Sequence, residues 1–343
     1  MKKMNLISIL HKSMYVMLTA CITFTMPSCT TEEDDNGITN KPKLEVPAYD
    51  AIAAKYEITD ASSQFKSIEL TASGNFIIRL NTSISDSTGS YSVSPVVKPR
   101  MLVSKNHAFS IAKPTVNSRS YTVWSDILYG TYTQIEENKY ALDGYGILTV
   151  ATETGNAYNL YIEKTTGETY NIEANKAGKP QEGNMTNALC RTWDITGYHY
   201  FMRVNGKNIM SIKASSLSEL EEKLKEWAIE NDPDYSDGDY DLGLLPSIAP
   251  QQVVFCKSGT YMVLYSNEML AVSTWRWENQ STGLLLYSWN PDSFDDSNIS
   301  GQAKIQFNKN QLQITEGFSE SEDGYSYEMG LTTILNEVIL SQN

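Results

Sequence analysis

Between residues 302 and 315 apolar and polar side chains alternate with a period of two, which restricts the fold more than any other pattern in the chain. Ala303, Ile305 and Phe307 alternate with Gln302, Lys304 and Gln306. After the turn Asn308-Lys309-Asn310, Leu312 and Ile314 alternate with Gln311, Gln313 and Thr315. A strand points successive side chains to opposite faces, so this segment reads as a hairpin with one dry face and one wet face. Tyr158, Leu160 and Ile162 alternate in the same way with Asn159, Tyr161 and Glu163. Glycine-containing turns at Ser73-Gly74, Asp143-Gly144, Thr166-Gly167, Ser258-Gly259 and Asp323-Gly324 separate such runs. Short strands joined by tight turns predict a mainly β chain, an antiparallel meander closed or nearly closed to protect its edges.

Three stretches recur in the same order. Lys55-Tyr56-Glu57-Ile58-Thr59 resembles Thr192-Trp193-Asp194-Ile195-Thr196, and Ser67–Phe76 resembles Gln252–Tyr261. Tyr129-Gly130-Thr131-Tyr132 resembles Ser273-Thr274-Trp275-Arg276. Shared order with unequal spacing predicts a divergent duplication, with β module 1 over residues 50–180 and β module 2 over 188–343. One helix interrupts the second module. Leu217, Leu220, Leu224, Trp227 and Ala228 form a stripe of helical period, predicting an amphipathic helix over 216–230. Ser216 with Glu219, or Ser218 with Glu221, supplies a capping box. Glu219–Lys223 and Glu221–Lys225 are favourable i,i+4 pairs, and Pro233 marks the stop. The stripe is expected to pack on the barrel of its own repeat.

The second module carries a resemblance. Leu189-Cys190-Arg191-Thr192-Trp193-Asp194-Ile195, then Val254-Phe255-Cys256-Lys257-Ser258-Gly259-Thr260-Tyr261, then Thr274-Trp275-Arg276-Trp277 resembles the lipocalin-like lipoproteins of Bacteroidota. Their pattern is Gly-x-Trp, Phe-x-x-Ser/Asp-Gly-Thr-Tyr and a later Gly-x-Trp strand. Here Arg191 or Thr192 replaces the first glycine and Ser273 the later one. The resemblance implies an eight-stranded, up-and-down, lipocalin-like barrel over 188–343, and over the first module through the duplication. It implies no catalytic residues.

The N-terminus reads as an address. Lys2, Lys3 and Lys12 precede an uncharged run from Met14 to Met26. A membrane-spanning helix needs about 20 apolar residues, so this shorter run suits a signal-peptide core over residues 1–28. Met26-Pro27-Ser28-Cys29 resembles a lipobox, which implies acylation of Cys29, with palmitate among the acyl chains. Glu32-Glu33-Asp34-Asp35 behind it resembles the surface-export signal of Bacteroidota lipoproteins. Residues 29–49 are polar and broken by Gly37, Pro42 and Pro47, as expected of a tether. The expected location is the outer membrane, facing outward, with the lipid as the only anchor. The formal net charge of −14 argues against a phosphate-tracking nucleic-acid binder, which needs clustered Lys and Arg.

Chemistry is sparse. Beyond the leader the only histidines are His107 and His199, neither beside ligand-spaced Cys or carboxylates, and no nucleophile elbow or P-loop is present. Asp234, Asp237 and Asp239, within the run Asp232–Asp241, are candidate weak Ca²⁺ ligands, although the spacing does not follow positions 1, 3 and 5 of an EF-hand. The alternative is a solvated loop. Asp292, Asp295 and Asp296 read as a hairpin turn. Cys190 and Cys256 form an even pair in an exported chain, a candidate disulfide. Trp275, Trp277, Tyr287 and Trp289 fall on two adjacent predicted strands, either as a platform for sugars or apolar ligands or as barrel filling. The expectation is a non-enzymatic surface lipoprotein that binds a glycan or a small amphipathic ligand. The alternatives are a structural or adhesive protein with filled barrels and a carboxylate-based glycoside hydrolase, which needs only two acids about 5–10 Å apart.

Overall fold

A computed structural model of the chain describes residues 46–81, 121–124, 126–153, 155–178, 181–231, 249–267, 269–308, 310–322 and 324–338. Cys29, His107 and the candidate calcium ligands Asp234, Asp237 and Asp239 lie outside the described residues. The first module contains β1 (Ala54–Ile58), β2 (Phe65–Leu70), β3 (Asn75–Leu80), β4 (Tyr121–Trp124), β5 (Ile127–Glu136), β6 (Lys139–Leu142), β7 (Gly146–Thr152), β8 (Ala157–Lys164) and β9 (Thr169–Lys176). Its strands run β3-β2-β1-β9-β8-β7-β6-β5, and pairing of β3 with β5 closes the ring. The second module opens with α1 (Asn184–Leu189), β10 (Thr192–Val204), β11 (Lys207–Ala214) and α2 (Leu217–Asn231). It continues through β12 (Pro250–Phe255), β13 (Thr260–Tyr265), β14 (Leu270–Asn279), β15 (Leu284–Ser288), β16 (Gly301–Asn308), β17 (Gln311–Glu322) and β18 (Tyr325–Glu337). β10 and β12–β18 pair in order, and β10 with β18 closes a second antiparallel barrel. The chain is therefore two closed eight-stranded barrels.

The hairpin read from the period-two pattern is β16–β17. Asn308 pairs with Gln311, while Ala303, Ile305, Phe307, Leu312 and Ile314 are buried together in the second barrel. Leu160 and Ile162 are likewise buried in the first. Tyr49 packs on the Tyr132 ring at 5.0 Å and its N–H donates to Ala72 O.

Strand registers fix how the repeats correspond. Tyr56 opposite Ile68 matches Trp193 opposite Val253, and Ile77 opposite Tyr129 matches Met262 opposite Val272. These pairings slide the third repeated stretch by one residue, so that Gly130-Thr131-Tyr132 matches Ser273-Thr274-Trp275. Hydrogen bonds agree with this shift. Tyr132 Oη donates to Thr71 O at 2.9 Å, and Trp275 Nε1 donates to the equivalent Cys256 O at 3.1 Å.

β10, β17 and β18 are long enough to run past the barrel. A bulge between Ile195 and Gly197 lets β10 continue, and its upper half pairs with β11. α2 lies on this extension and buries Leu217, Leu220, Leu224 and Ala228, the first three packing against Tyr198, Tyr200, Met202, Met210, Met329 and Leu331. Its cap is a variant of the expected box. Ser216 Oγ accepts the Glu219 N–H at 3.1 Å, but the Glu219 carboxylate reaches past Ser216 to accept from the Ser215 N–H at 2.7 Å. Both expected i,i+4 ion pairs form, Glu219–Lys223 at 2.7 Å and Glu221–Lys225 at 3.1 Å.

The barrels pack side by side through matching surfaces. Ile77, Ile127 and Tyr129 of the first meet Met262, Leu270, Val272, Val254 and Cys256 of the second. Ile77 corresponds to Met262, Ile127 to Leu270 and Tyr129 to Val272. A surface that meets its own repeat is the arrangement of an isologous dimer, here within one chain. Around this apolar centre Ser73 bonds Thr192 at 2.7 Å, Ser258 donates to Glu69, and Tyr129 Oη donates to Gln252 Oε1 at 3.0 Å.

Candidate functional site

All four expected aromatics gather on one wall of the second barrel. Trp275 on β14 is opposite Tyr287 on β15, and both are buried in the barrel core, with Trp277 and Trp289 half-buried against it. Trp275 is 1% exposed, donates through Nε1 to the Cys256 and Thr260 carbonyls, and meets Phe255 and Trp277 edge-on at 5.7 and 5.5 Å. Trp277 Nε1 donates to Thr186 Oγ1 at 2.8 Å. Thr186 belongs to α1, whose Met185, Ala188 and Leu189 join the same core. Trp193 Nε1 donates to the Leu189 carbonyl at 2.9 Å. The trunk of the barrel at this end is filled by side chains and held by indole hydrogen bonds.

Toward α2 the interior changes character. On β18 Thr333 lies between Leu335 of the trunk core and Leu331 of the helix-covered core, and on β17 Glu316 follows Ile314. Tyr287 Oη donates to Glu316 Oε1 at 2.8 Å. Tyr261 and Ser273 face one another across β13 and β14. The Tyr261, Ser273 and Thr333 hydroxyls are buried; those of Tyr261 and Ser273 lie close enough to interact but form no well-shaped hydrogen bond, and Thr333 has no side-chain partner. Burial, then the neighbouring Tyr265 and the Glu316 carboxylate, push the Tyr261 phenol well above its ordinary range, partly offset by Ser273. Tyr265 is raised by burial and then by Glu316. These phenols are neutral at physiological pH and present donors. Three buried hydroxyls, a carboxylate and two further tyrosines thus form a polar layer between two apolar cores. Apart from Tyr287, the sequence carries no local signal for these residues, because they lie on β13, β14, β17 and β18, which only barrel closure brings together.

Cys190 and Cys256, the candidate disulfide pair, are free and buried in this structure. Cys190 packs into the barrel core, whereas Cys256 belongs to the cluster between the barrels, so the thiols serve opposite sides of one wall. Burial raises both thiol pKa values well above the usual range, which disfavours the reactive thiolate. Asp292 does more than shape a turn, since it pairs across the module boundary with Lys66 at 2.8 Å and with Arg79. Asp295 accepts from the Ser297 N–H at 2.8 Å, and Asp296 pairs with Arg276. His199 lies on β10 with Nε2 2.9 Å from Ser211 Oγ, and burial followed by Lys213 and Arg203 lowers its pKa. An open groove of about 440 Å³ runs past Gly197, Lys213, Ser215 and Glu219, where Glu219 is already engaged by Ser215 and Lys223. Among the described residues no group of three His, Cys, Asp or Glu is placed to hold a metal. The chain matches no family model, no curated protein and no solved structure.

Proposed function

We propose that this chain is a non-enzymatic, lipid-anchored protein of the outer cell surface that binds a glycan or a small amphipathic ligand through its second barrel. The first barrel would serve as scaffold. The observation that carries this reading is the grouping of Trp275, Trp277, Tyr287 and Trp289 on one wall, running up to the polar layer around Glu316. Aromatic rings offer apolar faces to sugars and acyl chains alike, while carboxylate and hydroxyl groups fix the orientation of a polar end. Because side chains fill the trunk, the ligand would sit at the end of the barrel that carries the extension. Resemblance to lipocalin-like lipoproteins, the lipobox ending in Cys29 and the acids behind it support the address.

Intrinsic tryptophan fluorescence, titrated with soluble glycans, fatty acids and alkyl glycosides, tests the reading. A saturable shift with any of them is the expected result. No response to the whole panel would favour a structural or adhesive surface protein, a reading supported by the burial of Trp275.

A further inference from the structure

The two barrels provide an internal comparison, since they share a fold and a register. Tyr261 corresponds to Phe76 and Tyr265 to Leu80, because Leu80 opposite Phe65 matches Tyr265 opposite Pro250. Ser273 corresponds to Gly130, and Tyr287 to Leu142 through their pairing with Trp275 and Tyr132. On the closing strands Glu316 corresponds to Ile162 and Thr333 to Ile172. Every member of the polar layer therefore has an apolar residue or glycine at its place in the first barrel. Phe76, Leu142, Ile162 and Ile172 are buried there. The first barrel closes and packs with apolar residues or glycine at these six positions, so the fold does not require polar groups there.

Burying a hydroxyl without a partner is unfavourable, and among the described residues three such hydroxyls line the inside of the second barrel, two of them facing one another across β13 and β14. We infer that this layer is the seat of a hydroxyl-bearing group of a neutral ligand, the polyol end of a saccharide or of a glycolipid. A sugar hydroxyl both donates and accepts. It can donate to Glu316 while accepting from the Tyr261, Ser273 or Thr333 hydroxyl, which no purely apolar or anionic group can do. Nearby aromatic faces on β14 and β15 suit the C–H face of a sugar ring. The inference rests on the binding reading above and narrows it to one ligand chemistry and one level of one barrel.

The test uses the mature chain, with glucose, n-octyl β-D-glucoside below its micelle concentration, and decanoate as probes. The variant Tyr261→Phe/Ser273→Ala/Thr333→Val removes the three hydroxyls at nearly constant volume. Saturable binding of glucose would indicate a saccharide, and binding of the octyl glucoside alone a glycolipid. In either case the variant is expected to lose tenfold or more in affinity while its melting temperature stays level or rises. Binding of decanoate alone would overturn this inference and leave the broader binding reading standing. Equal glucoside affinity in variant and parent would do the same. A variant that melts several degrees lower would also sink it, because its hydroxyls would then have been satisfied in the free protein. Should the triple variant fail to fold, Thr333→Val alone carries the same comparison.

Discussion

Trp275 and Tyr132 hold the same place in the two barrels and solve the same problem with different donors. Each reaches a carbonyl at the start of the preceding hairpin, Cys256 O or Thr71 O, and so ties the third strand of its meander to the first turn. Replacing Trp275 by Phe keeps a ring in the core but leaves the Cys256 and Thr260 carbonyls without the indole donor. Both carbonyls keep a backbone donor, from Gly259 and Cys256, so the expected cost of about 1–3 kcal/mol in urea unfolding comes from the lost indole hydrogen bonds and the space left by the smaller ring. Gly259 in the same turn has φ +88°, and a Cβ there would approach Trp275 O to 3.0 Å. Gly259→Ala is therefore expected to destabilise the second barrel by about 1 kcal/mol or more, through backbone strain as well as contact. The thiols make a third residue-level expectation. Alkylation of the native protein should leave Cys190 and Cys256 unmodified, and mass analysis after denaturation without reductant should find both as free thiols. An intact bridge between them would contradict the positions on opposite sides of the wall.

Among the elements, α2 is where local sequence decides most. Its stripe, its i,i+4 pairs and its serine cap are written within fifteen residues, so the helix was legible before any tertiary contact was known. Ser216→Ala removes the acceptor for the Glu219 N–H and is expected to cost about 1 kcal/mol, measured by chemical denaturation, with slight loss of helical circular dichroism. The hairpin β16–β17 was legible for the same reason, because alternation is a local signal. β10 was not. Its thirteen residues span a bulge, and the bulge rather than the residue pattern decides where barrel ends and extension begins. The polar layer was hidden for a related reason. Alternation tells which face a residue occupies but not how far along the barrel axis it lies, so Tyr261, Ser273, Glu316 and Thr333 read as unrelated positions. The aromatics on β14 and β15 were visible because neighbouring strands carry them. Their burial depended on what faced them across the barrel.

At the scale of the whole molecule the two like barrels meet as the halves of a dimer would, and the ionic rim of their contact gives it a pH dependence. Asp292 follows β15 of the second barrel and pairs with Lys66 and Arg79 on β2 and β3 of the first. Partial burial opposes its ionised form, but hydrogen bonds and charge from Lys66 and Arg79 outweigh this and hold the carboxyl below its ordinary range. A carboxyl whose folded pKa is depressed adds stability above its unfolded value, about 3.9 for Asp, and loses it as pH falls through the lower folded value. Nearly half of the Asp292 side chain is exposed, and solvent screening limits the contribution to about 1 kcal/mol or less. Asp292→Asn is therefore expected to lower stability at pH 7, by an amount that shrinks below pH 4 and vanishes once the parent carboxyl is protonated. Urea midpoints of parent and variant, followed from pH 7 to the acid limit, should converge. A gap that persisted at the acid end would mean that Asp292 acts through shape and hydrogen bonding, and that the apolar faces of Ile77 and Met262 hold the barrels together without electrostatic help.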